Sequence, residues 1–579
     1  MRLRYAVTGV IAAAGGLAAA ELAAALTRPE ASPLVTIGGS VIDATPTPVK
    51  EFAVRTFGTA DKPLLLSAIV AGVIAAAAII GLLARRRRKL AIVAMAGFGL
   101  IGALAALTRP ASAPFDIVPA LLAGAVAAAL LAFLTRHRTA ELPPALPEPG
   151  ALSAADPEAL HASPHALSDA DAEVLHADPP AAGQHPEASR ATDLEALVAV
   201  GKAGSAGPHD AMGRAALGAG AGAGADGGVG AGGGTGARAA VRRREVLIAG
   251  AGVAGIALLG KGIGTWKGRS VSSAVTLPVA ADPAKTRITT PGFYTANKDF
   301  YRVDTALTVP RVAVDRWQLT IRGNVPLTLS FEDLIRLPLI ERDITLNCVS
   351  NEVGGPYIGT ARWLGVPLAS LLKQAGIPAG ADQIVARSTE GMTIGTPVET
   401  VLDGRDAMIA IGMNGEPLPP EHGFPARMLT PGLYGYAGAC KWIAELELST
   451  FDTFDAYWVR RGWAARAPVK TASRIDRPAP FAKLAPGQVA VAGVAWAQQR
   501  GIAKVEIQVD DGPWAQATLM PVPSADTWVQ WTFAWNATAG GHSLRVRATD
   551  ARGDVQTPDR QPPFPDGATG WHTVAVTVA

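Results

Sequence analysis

Cys348 and Cys440 are the only cysteines in the 579 residues, and His422 is the one histidine between residues 285 and 480. That supply excludes a zinc cluster, an iron–sulfur cluster, a CxxCH haem attachment and any site built on several histidines in this stretch. HExxH, GxSxG and Walker loops are also absent there. The string GAGVAG at 250–255 has GxGxxG spacing, but it lies inside an apolar run after an arginine cluster and follows no strand. It reads as a helix face, not a dinucleotide loop. What remains is one thiol at the end of a strand, in TLNCVSN at 345–351. Three fates are open to Cys348: a small buried apolar side chain, a disulfide with Cys440, or a thiolate ligand to a soft metal.

The elements that must position this thiol belong to an α+β domain at 285–480. Strand patterns occur at 317–321, 343–346, 383–386 and 442–448. Ser330 and Asp333 form a capping box opening a short helix. Residues 367–375 read as a second helix, stopped by Gly376, and Asn414-Gly415 is a hairpin turn. Residues 484–579 read differently: strand-length runs at 489–494, 503–509, 529–535, 543–549 and 572–578, and no helical pattern. That predicts an all-β sandwich with Trp496, Trp514, Trp528, Trp531 and Trp535 in its core and rim.

The first half is of another kind. Apolar runs at 5–27, 63–84, 90–108 and 114–135 are each long enough to cross a hydrocarbon core, which predicts a four-helix transmembrane region over 1–138. Arg2 and Arg4, the run Arg85 to Lys89, and Arg136 with Arg138 flank these spans, so the positive-inside rule places them in the cytoplasm. Residues 28–62 and 109–113 become outer loops. Glu21 is an acid within a span, read as a bundle contact or a position near a helix end. Residues 139–240 are low-complexity Ala, Gly and Pro, expected to be a disordered cytoplasmic linker. A fifth span is expected at 241–266, opened by Arg242, Arg243 and Arg244. The cluster reads either as an ordinary topology signal or as a twin-arginine shape, the second favoured where a bulky cofactor must be inserted before export. A formal net charge of +3, evenly spread over the soluble part, argues against nucleic acid.

Against this background the motifs of the second half resemble the sulfite oxidase family of molybdopterin-dependent oxidoreductases. The segment around Cys348 is similar to that family's metal-ligand strand, and GTARWLGVPL at 359–368 to its TARWxGxxL element. EHGFPARMLTPG at 421–432 resembles the HGxPxRxxxPG cofactor loop, and KWI at 441–443 the VKWL strand. DFYRVDT at 299–305 resembles the pterin-contacting segment of periplasmic methionine-sulfoxide reductases. GIAKVEIQVD at 501–510 and GHSLRVRATD at 541–550 are similar to the family's immunoglobulin-like dimerisation domain.

The resemblance implies a molybdenum cofactor ligated by Cys348 and a molybdopterin site made by Tyr301, Arg302, Thr389, His422, Arg427, Gly435, Tyr436 and Lys441. A thiolate suits a soft metal centre, while Arg427 and Lys441 can bind the pterin phosphate. Family members carry arginines shortly after the ligand cysteine, where they bind an anionic substrate. Here those positions are Glu352 and Val353, so Arg302 and Arg461 are left to supply charge near the metal.

The expected protein is a multi-pass enzyme of the cell membrane with its catalytic domain outside. It would transfer an oxygen atom to or from a small oxyanion or a sulfoxide, and the C-terminal domain implies a homodimer. The rivals are a methionine-sulfoxide reductase-like enzyme and a membrane-anchored binding module that has lost the metal. The spans hold no paired histidines for a b-type haem, so a cytochrome or membrane redox protein is expected as the external electron partner.

Overall fold

The computed structural model describes residues 2–57, 61–109, 112–136 and 275–579. The expected linker and fifth span, with Arg243 and Arg244, lie outside them.

The N-terminal region is a bundle of α1 (Arg2–Leu26), α4 (Asp61–Leu83), α5 (Arg88–Leu107) and α6 (Val118–Arg136), with two further helices, α2 (Pro33–Ala44) and α3 (Thr47–Phe57), between α1 and α4. Among the described residues, four helices are long and apolar enough to cross a membrane: Arg2–Leu26, Lys62–Leu83, Arg88–Leu107 and Pro114–Arg136. Apolar stretches offer no hydrophobic drive to associate inside a bilayer, so close backbone contact must do it. Gly9 of α1 lies against Gly81 and the Ala77 carbonyl of α4, and Gly99 of α5 against Gly124 of α6. A Cβ at any of these would run into the facing backbone.

Residues 28–62, read as an outer loop, are largely helical. Ser32 caps α2 by accepting from the Val35 N–H, with proline at the first helical position. The same hydroxyl donates to Glu21 Oε1 at 2.5 Å, which makes the acid of the first apolar helix a bundle contact.

The α+β region holds two sheets. One has the order β2 (Leu327–Ser330), β1 (Gln318–Arg322), β10 (Ile443–Ser449), β5 (Gln383–Ser388), β6 (Thr393–Pro397). The other runs β3 (Ile340–Asn347), β4 (Ile358–Pro367), β7 (Met408–Met413), β8 (Glu416–Pro417), with β9 (Arg427–Leu429) paired to β7. Leu319, Ile321, Ile384 and Ile409 meet Leu371 and Leu372 of α8 (Leu368–Ala375) in a common core. The local signals are realised. Ser330 and Asp333 cap α7 (Phe331–Arg336) reciprocally, Gly376 ends α8 at φ +68°, and Asn414 and Gly415 turn β7 into β8 with φ of 53° and 85°.

The TARW element is architecture. Arg362 pairs with buried Asp343 at 2.8 Å, and the fully buried Trp363 donates to the Ile344 carbonyl at 3.1 Å. Together they lock β4 to β3, the strand that delivers Cys348.

The C-terminal region is a two-sheet sandwich. One sheet is β11 (Ala472–Arg477), β13 (Gly487–Trp496), β17 (Val529–Ala537) and β16 (Thr518–Leu519). The other is β12 (Lys483–Leu484), β19 (His572–Val578), β18 (Gly540–Asp550), β14 (Ile502–Val509) and β15 (Ala515–Gln516). Val491, Trp531 and Trp535 from the first sheet share a core with Val505, Leu544 and Val574 from the second. Trp514 instead lies at the rim, edge-on to Trp571. The loop before β17 clamps β3. The Trp528 N–H donates to Thr345 Oγ1 at 2.7 Å, and the Thr345 N–H donates to the Asp526 carbonyl at 2.9 Å. The sandwich therefore fixes the strand three residues before Cys348.

The glycine crossings give a test. Gly81→Leu is expected to lower stability by about 1–3 kcal/mol through overpacking, seen as a lower thermal midpoint of the full-length chain in detergent. Gly72→Leu on the same helix, where a Cβ meets nothing within 4 Å, is expected to leave the midpoint unchanged or raise it. Equal loss in both variants would remove the close-crossing argument.

Candidate active site

Cys348 lies immediately after β3, in a loop tied back on itself. Its N–H donates to the Tyr357 carbonyl at 3.0 Å, and its carbonyl accepts from the Asn351 N–H at 3.1 Å. The thiol is free, as is that of Cys440, so the two do not form a disulfide. Burial pushes the Cys348 thiol up, against the pull of hydrogen bonds from Ser350. It faces a cavity of about 390 Å³ that Tyr301, His422, Arg427, Gly435, Tyr436 and Lys441 also line. Six of the expected cofactor residues thus share one cavity with the thiol.

Each is placed by a local constraint. Gly423, at φ +112°, lets the cofactor loop turn where a Cβ would crowd Arg427 Cβ and Lys441 Cα. His422 donates from Nε2 to the Asn297 carbonyl at 2.8 Å. Burial lowers its pKa to about 4, so the ring is neutral near pH 7 with Nδ1 free to accept. Phe300 stacks on Tyr301 and meets the edges of His422 and Trp363. Tyr436 is anchored by its hydroxyl to the Ala464 carbonyl at 2.6 Å.

The electrostatics are unusual for an interior. Arg427 is buried over the face of Trp363, 5.2 Å from the ring centroid, and donates from Nη1 to the His422 carbonyl at 3.1 Å. Its Nε has no partner, and burial lowers its pKa to about 10. A buried guanidinium with an unsatisfied N–H calls for an anionic group. Nearby, Asp304 accepts from Lys62 at 2.5 Å, Arg302 at 2.8 Å and Lys441 at 2.5 Å. These three cations hold its carboxyl well below the usual range, despite burial. Burial lowers Lys441 to about 8, opposed by Asp304. Burial, aided by the Asp304 charge, raises Glu390, also on the cavity wall, to about 7. The residues present fit a phosphate-bearing pterin. Arg427 and Lys441 supply charge, Gly435 gives room for backbone approach, and Cys348 offers sulfur.

Three expected residues stand elsewhere. Arg302 and Arg461 do not line the cavity, because carboxylates claim them: Asp304 for the first, Asp43 at 3.5 Å for the second. Thr389 donates its backbone N–H to the Trp442 carbonyl at 2.8 Å, while its neighbours Ser388 and Glu390 line the wall. Sequence reasoning missed Asp304, Glu390 and a whole wall of the cavity, supplied by Ile42, Lys50, Ala53, Lys62 and Leu65 of the N-terminal region. Asp304 lies inside the DFYRVDT string and was within reach. The wall carries no motif.

Asp304→Asn would leave three cations facing one another. Breaking such a cluster is expected to lower the stability of the cofactor-free protein by about 3 kcal/mol, read as a urea midpoint at pH 7. A carboxylate held below its ordinary value stabilises the fold above pH 3.8 and loses that contribution as pH falls below it. The wild-type advantage should therefore shrink as pH falls below 3.8. An advantage no smaller at pH 2 than at pH 7 would contradict the assignment.

Residues 306–458 match a family model described as oxidoreductase molybdopterin binding domain. Mitochondrial sulfite oxidase of Mus musculus is 28% identical over 358 residues, covering 52% of this chain and 64% of its own length. An inducible NADH nitrate reductase of Glycine max is 32% identical over 209 residues, 31% of this chain and 23% of that protein. The uncharacterized oxidoreductase YuiH of Bacillus subtilis (strain 168) is 33% identical over 153 residues, 26% of this chain and 74% of that protein. The chain thus spans a little under two thirds of the mouse enzyme but nearly three quarters of the bacterial protein. With the family match falling on the segments that carry Cys348, Arg427 and Lys441, the chain belongs to the sulfite oxidase-type family of molybdopterin-dependent oxidoreductases, whose cofactor is molybdopterin.

Proposed function

We propose that this chain is a membrane-tethered enzyme that oxidises a small oxyanion of the sulfite type by two electrons, with molybdenum held through Cys348. The observation that carries the reading is the buried, anion-seeking Arg427 in the same cavity as a free thiol. Molybdopterin, when bound, supplies the two-electron oxygen-atom-transfer chemistry. The chain's residues do the rest. Arg427 and Lys441 hold the phosphate, neutral His422 accepts a hydrogen bond at Nδ1, and Phe300 on the cavity wall keeps that end dry. Conversion of sulfite and water to sulfate releases two protons and two electrons. Glu390, deprotonated above about pH 7, takes a proton at its carboxylate. The electrons go to a separate redox protein.

The placement of the catalytic region supports an extracytoplasmic site. It contacts α2 and the start of α4 through Asp43 and Lys62, at the bundle end opposite the basic turn Arg85 to Arg87 between α4 and α5. Positive-inside reasoning puts that turn in the cytoplasm. Export through the twin-arginine shape at Arg243 and Arg244 would let the domain cross with its cofactor loaded. The sandwich is read as the immunoglobulin-like dimerisation domain. A second reading, reduction of a sulfoxide, draws support from the apolar side chains of the cavity wall, among them Val303, Met392, Ile394 and Trp458.

Purified full-length protein is expected to contain about one molybdenum per chain. Cys348→Ser should lose turnover by at least about a hundredfold with an unchanged circular dichroism spectrum, because a harder hydroxyl replaces a thiolate at a soft metal. Steady-state assays with sulfite and with a sulfoxide decide the direction. Absence of molybdenum, or full turnover in the serine variant, would sink the reading.

The kcat for sulfite should rise with pH through about 7 as Glu390 ionises. In Glu390→Gln that limb of the profile should disappear and kcat fall about a hundredfold. A wild-type profile flat across pH 6–8 would remove Glu390 from the proton path.

A further inference from the structure

The cavity has walls from two distant parts of the chain. Ile42, Thr45, Val49, Lys50 and Ala53 lie on α2 and α3 and their junction, and face Cys348, Tyr436, Trp458 and Trp463 of the α+β region. The contact is polar as well as apolar. Asp43 accepts from the Tyr457 hydroxyl at 2.8 Å and from Arg461 at 3.5 Å, and Arg461 stacks on the Tyr457 ring at 3.5 Å.

Lys50 stands in this junction without a counterpart. Its Nζ is enclosed and has no hydrogen-bond partner. The nearest aromatic face, that of Tyr457, has its centroid 5.9 Å away. The other lining cations are committed. Lys62 and Lys441 pair with Asp304, and Arg427 is the expected phosphate ligand. The charged groups acting on Lys50 are Arg461, which disfavours its ammonium, and Asp43, which favours it less. An enclosed ammonium with no anion of its own is a binding group for one. Positions 352 and 353 cannot do this work. Glu352 and Val353 line a separate, smaller recess with Gly354 and Tyr434.

We propose that Lys50 is a specificity-determining residue of the active site, its ammonium binding the small oxyanion substrate in place of the arginines that the loop after Cys348 lacks. The membrane region is then part of the catalytic cavity and not only its anchor. This rests on the oxyanion reading above, deepened to a named contact from the N-terminal segment.

The test uses full-length, cofactor-loaded protein in detergent as wild type, Lys50→Met and Lys50→Arg. Two quantities are read: sulfite turnover with ferricyanide as acceptor, and binding of inorganic sulfate followed by quenching of tryptophan fluorescence, since Trp458 and Trp463 line the cavity. Lys50→Met is expected to raise both the sulfite KM and the sulfate Kd about tenfold or more, worth about 1.4 kcal/mol, with a smaller fall in kcat. Lys50→Arg should recover most of both. If wild type oxidises sulfite and the methionine variant keeps its KM and sulfate Kd, Lys50 is not a binding residue and the oxyanion reading stands. If wild type binds sulfate through Lys50 but does not oxidise sulfite, the anion site stands and the reading falls. If wild type neither oxidises sulfite nor binds sulfate, both fall.

Discussion

A single carboxylate, Asp304, holds together the parts of this molecule that matter for chemistry. It draws Lys62 from a membrane-length helix, Arg302 from its own loop, and Lys441 from the segment leading into β10. Three positive charges brought to one buried point would repel one another; one acid between them makes the arrangement stable and leaves it with excess positive charge. That excess, together with the unpaired Nε of Arg427, sets the character of the cavity. It is an interior with more positive charge than its own acids balance.

The remaining architecture serves the thiol. Cys348 follows directly on β3, which is locked on one side by the Arg362–Asp343 pair and by Trp363, and on the other by the sandwich through Thr345 and Trp528. The proposed metal-ligand role needs such a support, since a ligand must be presented within a fraction of an ångström. The C-terminal sandwich thus has a role within the single chain, whatever its place in an assembly.

Much of this was legible in the sequence because the signals are local. The capping box at Ser330, the stop at Gly376 and the Asn414-Gly415 turn are decided by a few neighbouring residues, and all three are as the sequence predicts. Cys348, His422, Arg427 and Lys441 carried recognisable strings, and they converge. Arg362 and Trp363 were recognised by the same kind of string, yet they hold sheets together instead of touching the cavity. Glu390, Lys50 and Lys62 were illegible for the opposite reason. Each is an ordinary charged residue until tertiary contact buries it, and no spacing announces that. The helix α2 escaped because PLVTIGGSVIDA, with two glycines and five β-branched residues, carries little helical preference of its own.

The separation in sequence between the two walls has a consequence for access. The strands of the two sheets in the α+β region all lie within residues 318–449, and the N-terminal helices contribute nothing to their pairing. Asp43 and Tyr457, by contrast, are 414 positions apart. The strand pairing that builds the domain therefore does not draw on the N-terminal helices, whereas the outer wall of the cavity does. The domain by itself would present a cavity lacking that wall, open to a bulky cofactor.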